Sequence, residues 1–338
     1  MPLPSSIGML SPSLAINATA ERRAPPAKRP PKVSSWIKDI NFTTLDHSTA
    51  DLVDFAVAVF DKNAITELLG LSKAQSKSFV LACQDGYRDE PSFHNFAHAV
   101  QVLHGTNLLM EQLLHADLSA MTNRLDRLVT CIAALTHDLQ HEGLNNGFHK
   151  QTKSSLFEQY PESTLERHHF ANAWTLVEQH SLFAALSDQD CKQSQELLEV
   201  LIIHTDMGLH SKLLAFVQAS QDQKLVSRED MGLALAAVLH SADLYSPWKS
   251  YEAGRPWALL LQREFNRQAA IEAGLGLPSL PFMSASGERA LASDQISFIG
   301  NVALKWYEAM AATWPACSTL KARTQAQLDQ WHIQLDKV

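Results

Sequence analysis

Apolar residues recur along most of this chain at intervals of three and four, and strict alternation is hard to find. The pattern therefore predicts helices rather than strands. Over 48–60, Leu52, Phe55, Ala56 and Val59 share one helical face behind Ser48, with Asp51 three residues on to complete a capping box. Leu125, Leu128, Val129, Ile132 and Leu135 form a second stripe, which carries His137 and Asp138 at its C-terminal end. Phe96, Val100, Leu103, Met110 and Leu114 repeat the spacing after His94. Two runs, 196–207 and 231–244, are apolar nearly all round, as befits helices in the middle of a bundle. With no internal repeat and no second core, residues 36–338 read as one all-α domain, a compact multi-helix bundle.

Half of the 14 prolines fall within the first 31 residues, and ERRAPPAKRPPK at 21–32 mixes them with basic side chains. Such a stretch has little apolar surface to bury, so residues 1–35 are expected to be an extended or disordered tail or linker. The formal charge of -8 argues against a nucleic-acid surface, which is usually basic. The four cysteines, Cys83, Cys131, Cys191 and Cys317, lack CxxC spacing and suggest free thiols in a reducing compartment. No apolar run approaches the roughly 20 residues a bilayer span needs. The N-terminus also lacks the charged and apolar blocks of a secretory signal. A cytoplasmic location is the default expectation.

The chemistry gathers at helix ends. His94 and His98 are four apart, the spacing that puts two side chains on one helical face. A lone HxxxH is common, and such histidines are usually satisfied by core hydrogen bonds. His137 and Asp138 are more demanding, because an aspartate ending an apolar helix must be paired or bound to a cation to be buried. Asp243, behind Leu235, Val238 and Leu239, poses the same problem. Two acids and several histidines solve one another's difficulty if a divalent metal sits between them.

Six fragments now occur in a familiar order: YRDEPSFHNFAHA at 87–99, HDLQHEGLNN at 137–146, LERHH at 165–169, TDMGLH at 205–210, ADL at 242–244 and DQISF at 294–298. Over about residues 87–310 the chain resembles the catalytic domain of the class I 3',5'-cyclic nucleotide phosphodiesterases. The resemblance implies a helical domain with a deep pocket over two metals, hydrolysing cyclic AMP, cyclic GMP or both to 5'-nucleotides through a hydroxide bridging the metals. It implies that His98, His137, Asp138 and Asp243 hold the tighter ion, zinc, and that Asp138 also reaches a second, magnesium or manganese. It places Thr205 and His141 on the waters of that second ion, Glu166 as a supporting acid and His94 as the proton donor to the leaving oxygen. Gln295 matches the glutamine that meets the purine edge, and Phe298 and Leu261 the two jaws that clamp the base.

Some positions depart from the pattern. Tyr245, Ser246, Pro247 and Trp248 follow the aspartate where the family often reads SNP, so the shorter Ser246 replaces an amide that would touch the base. Glu142 replaces a common proline, Gly208 a common serine and Arg167 a frequent asparagine. No expected ligand is lost. Two other readings stay open: an HD-type phosphohydrolase of another nucleotide, and a catalytically silent nucleotide-binding regulatory domain. The former should carry basic residues near its site, and these segments are poor in them. The expected partner is a cyclic nucleotide, with no nucleic acid and no membrane span. An upstream regulatory domain is possible, and the oligomeric state is not legible. The loop over about 274–293 is expected to cover the pocket and to be mobile.

Overall fold

The computed structural model describes residues 33–338 apart from 117, 119–121 and 223–224; the expected tail over 1–35 falls almost wholly outside the described residues, and so does the side chain of Leu114. After the single turn α1 (Val33–Trp36), α2 (Thr49–Lys62) starts at the capping box expected of it. Ser48 Oγ accepts from the Asp51 N–H, and the Asp51 carboxylate accepts from the Ser48 N–H. Its stripe of Leu52, Phe55, Ala56 and Val59 is buried. α3 (Ile65–Leu69) ends at Gly70, and α4 (Lys73–Asp85) opens on a second capping box formed by Ser72 and Gln75.

α5 (Phe96–Ala116) and α6 (Arg124–Thr136) are the helices foreseen around the histidines. Beyond them come α7 (Asn146–Thr152), α8 (Ser155–Gln159), α9 (Thr164–Gln179), α10 (Asp188–Ile203), α11 (His210–Ala219) and α12 (Arg228–Asp243). α13 (Tyr251–Gly274), α14 (Pro281–Ser284), α15 (Glu288–Phe298), α16 (Leu304–Thr313) and α17 (Ser318–Leu335) follow. No strand occurs among the described residues, as the all-α reading required.

α12 runs through the middle, against α5, α10, α11 and α6, and from Ala234 to Ala242 every residue is buried. Such a helix has no polar face to give to water, which explains its run of small and aliphatic residues. It lies close against α5 at Gly105, where an added Cβ would be 3.2 Å from Ala242 Cβ and 3.3 Å from the Trp248 ring. A side chain there would wedge the two helices apart beside Asp243 and His98. Trp306 and Trp248 hold the C-terminal part of α12 by donating their ring N–H groups to the Ser241 hydroxyl and carbonyl.

The N-terminal segment is tied to the body by an internal cation. Lys249, 2% exposed, donates from Nζ to the carbonyls of Ile40 and Phe42 at 2.8 and 2.9 Å. Burial lowers its pKa to about 7, against the pull of Asp39. Among the described residues no single helix is long and apolar enough to cross a membrane.

Candidate active site

The HNFAH fragment does not form one continuous helix. α5 begins only at Phe96, because the Asn95 side chain accepts from the N–H groups of Ala97 and His98 at 3.1 and 3.3 Å. His98 therefore stands in the first turn of α5, while His94 lies outside it. The two rings are still neighbours, 5.5 Å apart and edge to face.

α6 ends at Thr136, with His137 as its C-terminal cap and Asp138 just beyond. The chain then turns sharply at Gln140, which adopts a left-handed φ of 65°. This strained conformation costs a non-glycine residue about 1 kcal/mol or more. It is held by two hydrogen bonds, from the Gln140 backbone N–H and side-chain amide, both to the Gly86 carbonyl at 3.0 Å. The turn brings His141 back beneath Asp138, whose carbonyl accepts the His141 N–H.

From these pieces the structure gathers His98, His137, Asp138 and Asp243. His98 Nε2 and His137 Nε2 lie 3.3 Å apart; Asp138 Oδ2 is 3.3 and 3.2 Å from them, and Asp243 Oδ1 is 3.2 and 3.4 Å away. His98 Nε2, His137 Nε2 and Asp243 Oδ1 form a triangle of such an edge, which an ion can cap at about 2.0 Å from each corner, the length of a metal–imidazole or metal–carboxylate bond, and Asp138 Oδ2 flanks the same two rings. His137 Nδ1 donates to the Ala134 carbonyl at 3.0 Å, and His98 Nδ1 faces the Tyr245 hydroxyl at 3.3 Å. In the neutral His137 ring this leaves the Nε2 lone pair directed at the centre. Asp138 Oδ2 is buried without a hydrogen bond of its own, as an oxygen waiting for a cation would be. The donor set thus fits a divalent metal. Burial opposes the charges of Asp138 and Asp243, but the His137 and His98 rings outweigh it and hold both carboxyls below their usual range.

Beside this cluster His94 lines the cavity, with Nδ1 donating to Glu264 Oε1. Glu264, on α13, also accepts the backbone N–H groups of Phe93 and His94 at 2.8 and 3.1 Å. Burial disfavours charge on both side chains, yet their mutual attraction prevails. It raises His94 to about 9 and lowers Glu264 to about 2. Glu264 had been given no role in the sequence reading. It was nevertheless visible as an acid on the stripe Trp257, Leu261, Glu264, Phe265 and Gln268, whose remaining members also line the cavity.

His141 stacks on His94 with centroids 4.2 Å apart, and its Nδ1 accepts the Gly143 N–H at 2.9 Å. Burial, reinforced by the charge of His94, depresses its pKa strongly. His169, another residue without an assigned role, donates from Nδ1 to the Leu139 carbonyl and sets Nε2 3.7 Å from Asp138 Oδ1. Glu166 accepts from the Asn146 amide at 3.0 Å; burial and the nearby Asp206 push its pKa up to about 8. Thr205 donates to the Ile202 carbonyl and lines the same wall.

His94, Asp138, His141, Glu166, His169, Thr205, Asp243 and Glu264 all open onto a cavity of about 780 Å³. Its far wall holds Leu261 from α13 together with Gln295 and Phe298 from α15. Phe298 is half-buried, and Gln295 makes no side-chain hydrogen bond among the described residues. Ser246 also lines the cavity and donates to the Gly254 carbonyl at 3.2 Å. A Cβ on Gly254 would lie 2.5 Å from Gln327 Nε2 and 2.7 Å from the Ser246 carbonyl, which hydrogen-bond each other there. The loop expected over 274–293 is shorter than foreseen. It contains α14, and α15 already begins at Glu288. Asn266 donates to the carbonyls of Met283 and Ala285, and Ser279 to Glu272, so α13 pins this cover at several points.

A family model described as 3'5'-cyclic nucleotide phosphodiesterase matches residues 93–324. The cGMP-specific 3',5'-cGMP phosphodiesterase 3 of Dictyostelium discoideum is 29% identical over 305 residues, covering 87% of this chain and 63% of the relative. The high affinity cGMP-specific 3',5'-cyclic phosphodiesterase 9A of Mus musculus is 28% identical over 295 residues, covering 86% of this chain and 52% of the relative. The chain thus spans a little over half the length of these curated relatives. Among solved structures, the phosphodiesterase domain of the RhoPDE fusion protein from the choanoflagellate Salpingoeca rosetta superposes with a TM-score of 0.85 at 30% identity, covering 89% of this chain and 96% of that one.

Proposed function

The chain belongs to the 3',5'-cyclic nucleotide phosphodiesterase family, and from that membership we propose that residues 36–338 are a catalytic domain that hydrolyses cyclic AMP, cyclic GMP or both to the 5'-nucleotides. The observation that carries the reading is the convergence of Asp138 and Asp243 on the facing rings of His98 and His137, beside the charged pair of His94 and Glu264. His98, His137, Asp138 and Asp243 would hold zinc. Asp138, helped through water by His141, Thr205 and Glu166, would hold magnesium or manganese. When bound, the metals supply Lewis acidity at the phosphate and an activated water.

The remaining chemistry belongs to the chain. The bond from phosphorus to the ribose 3'-oxygen breaks, and that oxygen needs a proton. His94 is charged near neutral pH, and Glu264 occupies Nδ1, which leaves Nε2–H as the donor. His141, neutral and accepting at Nδ1, keeps an N–H at Nε2 to orient water. Glu166 would gain most from a nearby cation, since burial and Asp206 both disfavour its charge. Phe298 and Leu261 would sandwich the base while Gln295 meets its edge. No lysine or arginine lines the cavity among the described residues, so a polyphosphate would find no side-chain cation there.

The test is turnover of cyclic AMP and cyclic GMP by the purified chain with magnesium, with and without a strong chelator. Chelator-sensitive release of 5'-nucleotide is expected. A folded, metal-loaded chain that hydrolyses neither would end this reading.

A further inference from the structure

We propose that Asp294 is a second reader of the base and makes guanine the preferred purine of this cavity, an inference that rests on the cyclic-nucleotide reading above. On α15, Leu291, Asp294, Gln295 and Phe298 follow one another at i, i+3, i+4 and i+7, and all four line the cavity. Asp294 therefore stands on the same stripe as the residues expected to meet the base. Its carboxylate has no hydrogen bond and no ion pair among the described residues. Arg255, the cation that joins α13 to α15, is already paired with Glu288. Burial raises the pKa of Asp294, and no neighbouring charge offsets it. A half-buried acid without a partner, facing a ligand cavity, calls for donors from the ligand.

The two polar side chains on this stripe differ in what they can decide. A glutamine amide donates from one end and accepts at the other, and nothing in the described structure holds Gln295 in either orientation, so it can serve adenine or guanine by turning over. An ionised carboxylate only accepts. Guanine presents the carbonyl O6 beside two donors, N1–H and the N2 amine. Adenine presents the N6 amine beside N1, which is a bare lone pair. A guanine edge can satisfy Gln295 through O6 and Asp294 through its adjacent donors. An adenine edge either turns N1 toward the carboxylate or leaves the acid desolvated without a donor. Ser246, which also lines the cavity, spends its one donor on the Gly254 carbonyl and so has only acceptor lone pairs left for a base.

Cyclic IMP, which keeps O6 and N1–H but lacks the N2 amine, separates these contributions. We would measure kcat/KM for cyclic GMP, cyclic IMP and cyclic AMP with the full chain, with Asp294→Asn and with Asp294→Ala, and the dissociation constants of all three nucleotides by calorimetry. Wild type should favour cyclic GMP over cyclic IMP by about tenfold, as one hydrogen-bonded base edge is worth, and over cyclic AMP by more. Asp294→Ala should erase the difference between cyclic GMP and cyclic IMP, with Asp294→Asn in between. Turnover with a cyclic GMP to cyclic IMP ratio unmoved in Asp294→Ala, or a wild-type preference for cyclic AMP, overturns the inference and leaves the phosphodiesterase reading standing. Absent turnover with calorimetric cyclic GMP selectivity that depends on Asp294 would do the reverse. A chain that neither binds nor cleaves any of the three sinks both.

Discussion

The two ends of the cavity are built on opposite principles. At the metal end each histidine is fixed by a hydrogen bond: His137 to the Ala134 carbonyl, His98 to Tyr245, His94 to Glu264 and His141 to the Gly143 N–H. At the base end Asp294 and Gln295 have no partners among the described residues, and Phe298 is only half-buried. Charge chemistry rewards groups fixed before the substrate arrives, because reorientation during reaction costs rate. Recognition of a planar base rewards groups that wait for their partner. Substitutions at the first end should therefore act on turnover and metal content, and at the second on KM and selectivity.

The largest effect should come from breaking the cluster of His98, His137, Asp138 and Asp243. Asp243→Ala removes one of the four proposed ligands and leaves Asp138 as the one carboxylate facing both imidazoles. Bound metal, read by elemental analysis, should fall well below that of wild type, and turnover by roughly 10⁴-fold, the scale of several kcal/mol of lost transition-state stabilisation. Equal metal content in the variant would show that the four residues do not hold the ion. Next comes His94→Ala, which should keep its metal and lose turnover by about a hundredfold to a thousandfold, as removal of a general acid does. Loss of metal along with activity would make His94 a ligand and undo the division between it and His98.

A subtler probe of the same end is Glu264→Gln. On the proposed mechanism the active form of His94 is the protonated one, and its raised pKa keeps that form populated until the pH climbs through about 9. Without the carboxylate the pKa should fall toward the ordinary imidazole value of 6.5. The alkaline limb of kcat/KM then moves down by up to two units or so, costing roughly thirtyfold near pH 8 and little near pH 6. A uniform loss at both pH values would mean that Glu264 serves packing rather than the proton.

This contrast also explains which parts could be read from the chain. Histidines and aspartates at the ends of apolar helices are conspicuous, because burial without a partner is costly. His137, Asp138 and Asp243 announce the site in that way. His98 and His94 were also conspicuous, but their shared helical face was inferred from spacing alone. Asn95, a good capping residue within HNFAH, starts the helix after His94, and local capping overrode the four-residue period. The left-handed turn at Gln140 had no signal at all, since no glycine marks it. Glu264 and His169 act through partners more than 25 residues away in sequence, a relation that periodicity does not report. At the base end Asp294 and Gln295 look like any polar residues on an amphipathic helix, and only the cavity distinguishes them from a solvated face.

At that end the effects should be smaller and of another kind. Phe298→Ala removes one face of the proposed base clamp and should raise KM about tenfold with kcat within a few-fold, since an aromatic contact of this sort contributes on the order of 1.5 kcal/mol. Leu261→Ala should do less, although Leu261 occupies the opposite jaw. An aliphatic side chain offers dispersion and apolar area but no ring to stack, and losing three carbons that are only partly shielded costs about 1 kcal/mol, or roughly fivefold in KM. Cyclic GMP and cyclic AMP should be affected alike, because a methyl group against the face of a purine does not sense its edge. If Leu261→Ala instead changed the ratio between the two nucleotides, the aliphatic jaw would be setting the tilt of the base against Asp294 and Gln295. Shape and edge recognition would then be a single coupled device at this end, as tightly interlocked as the metal end.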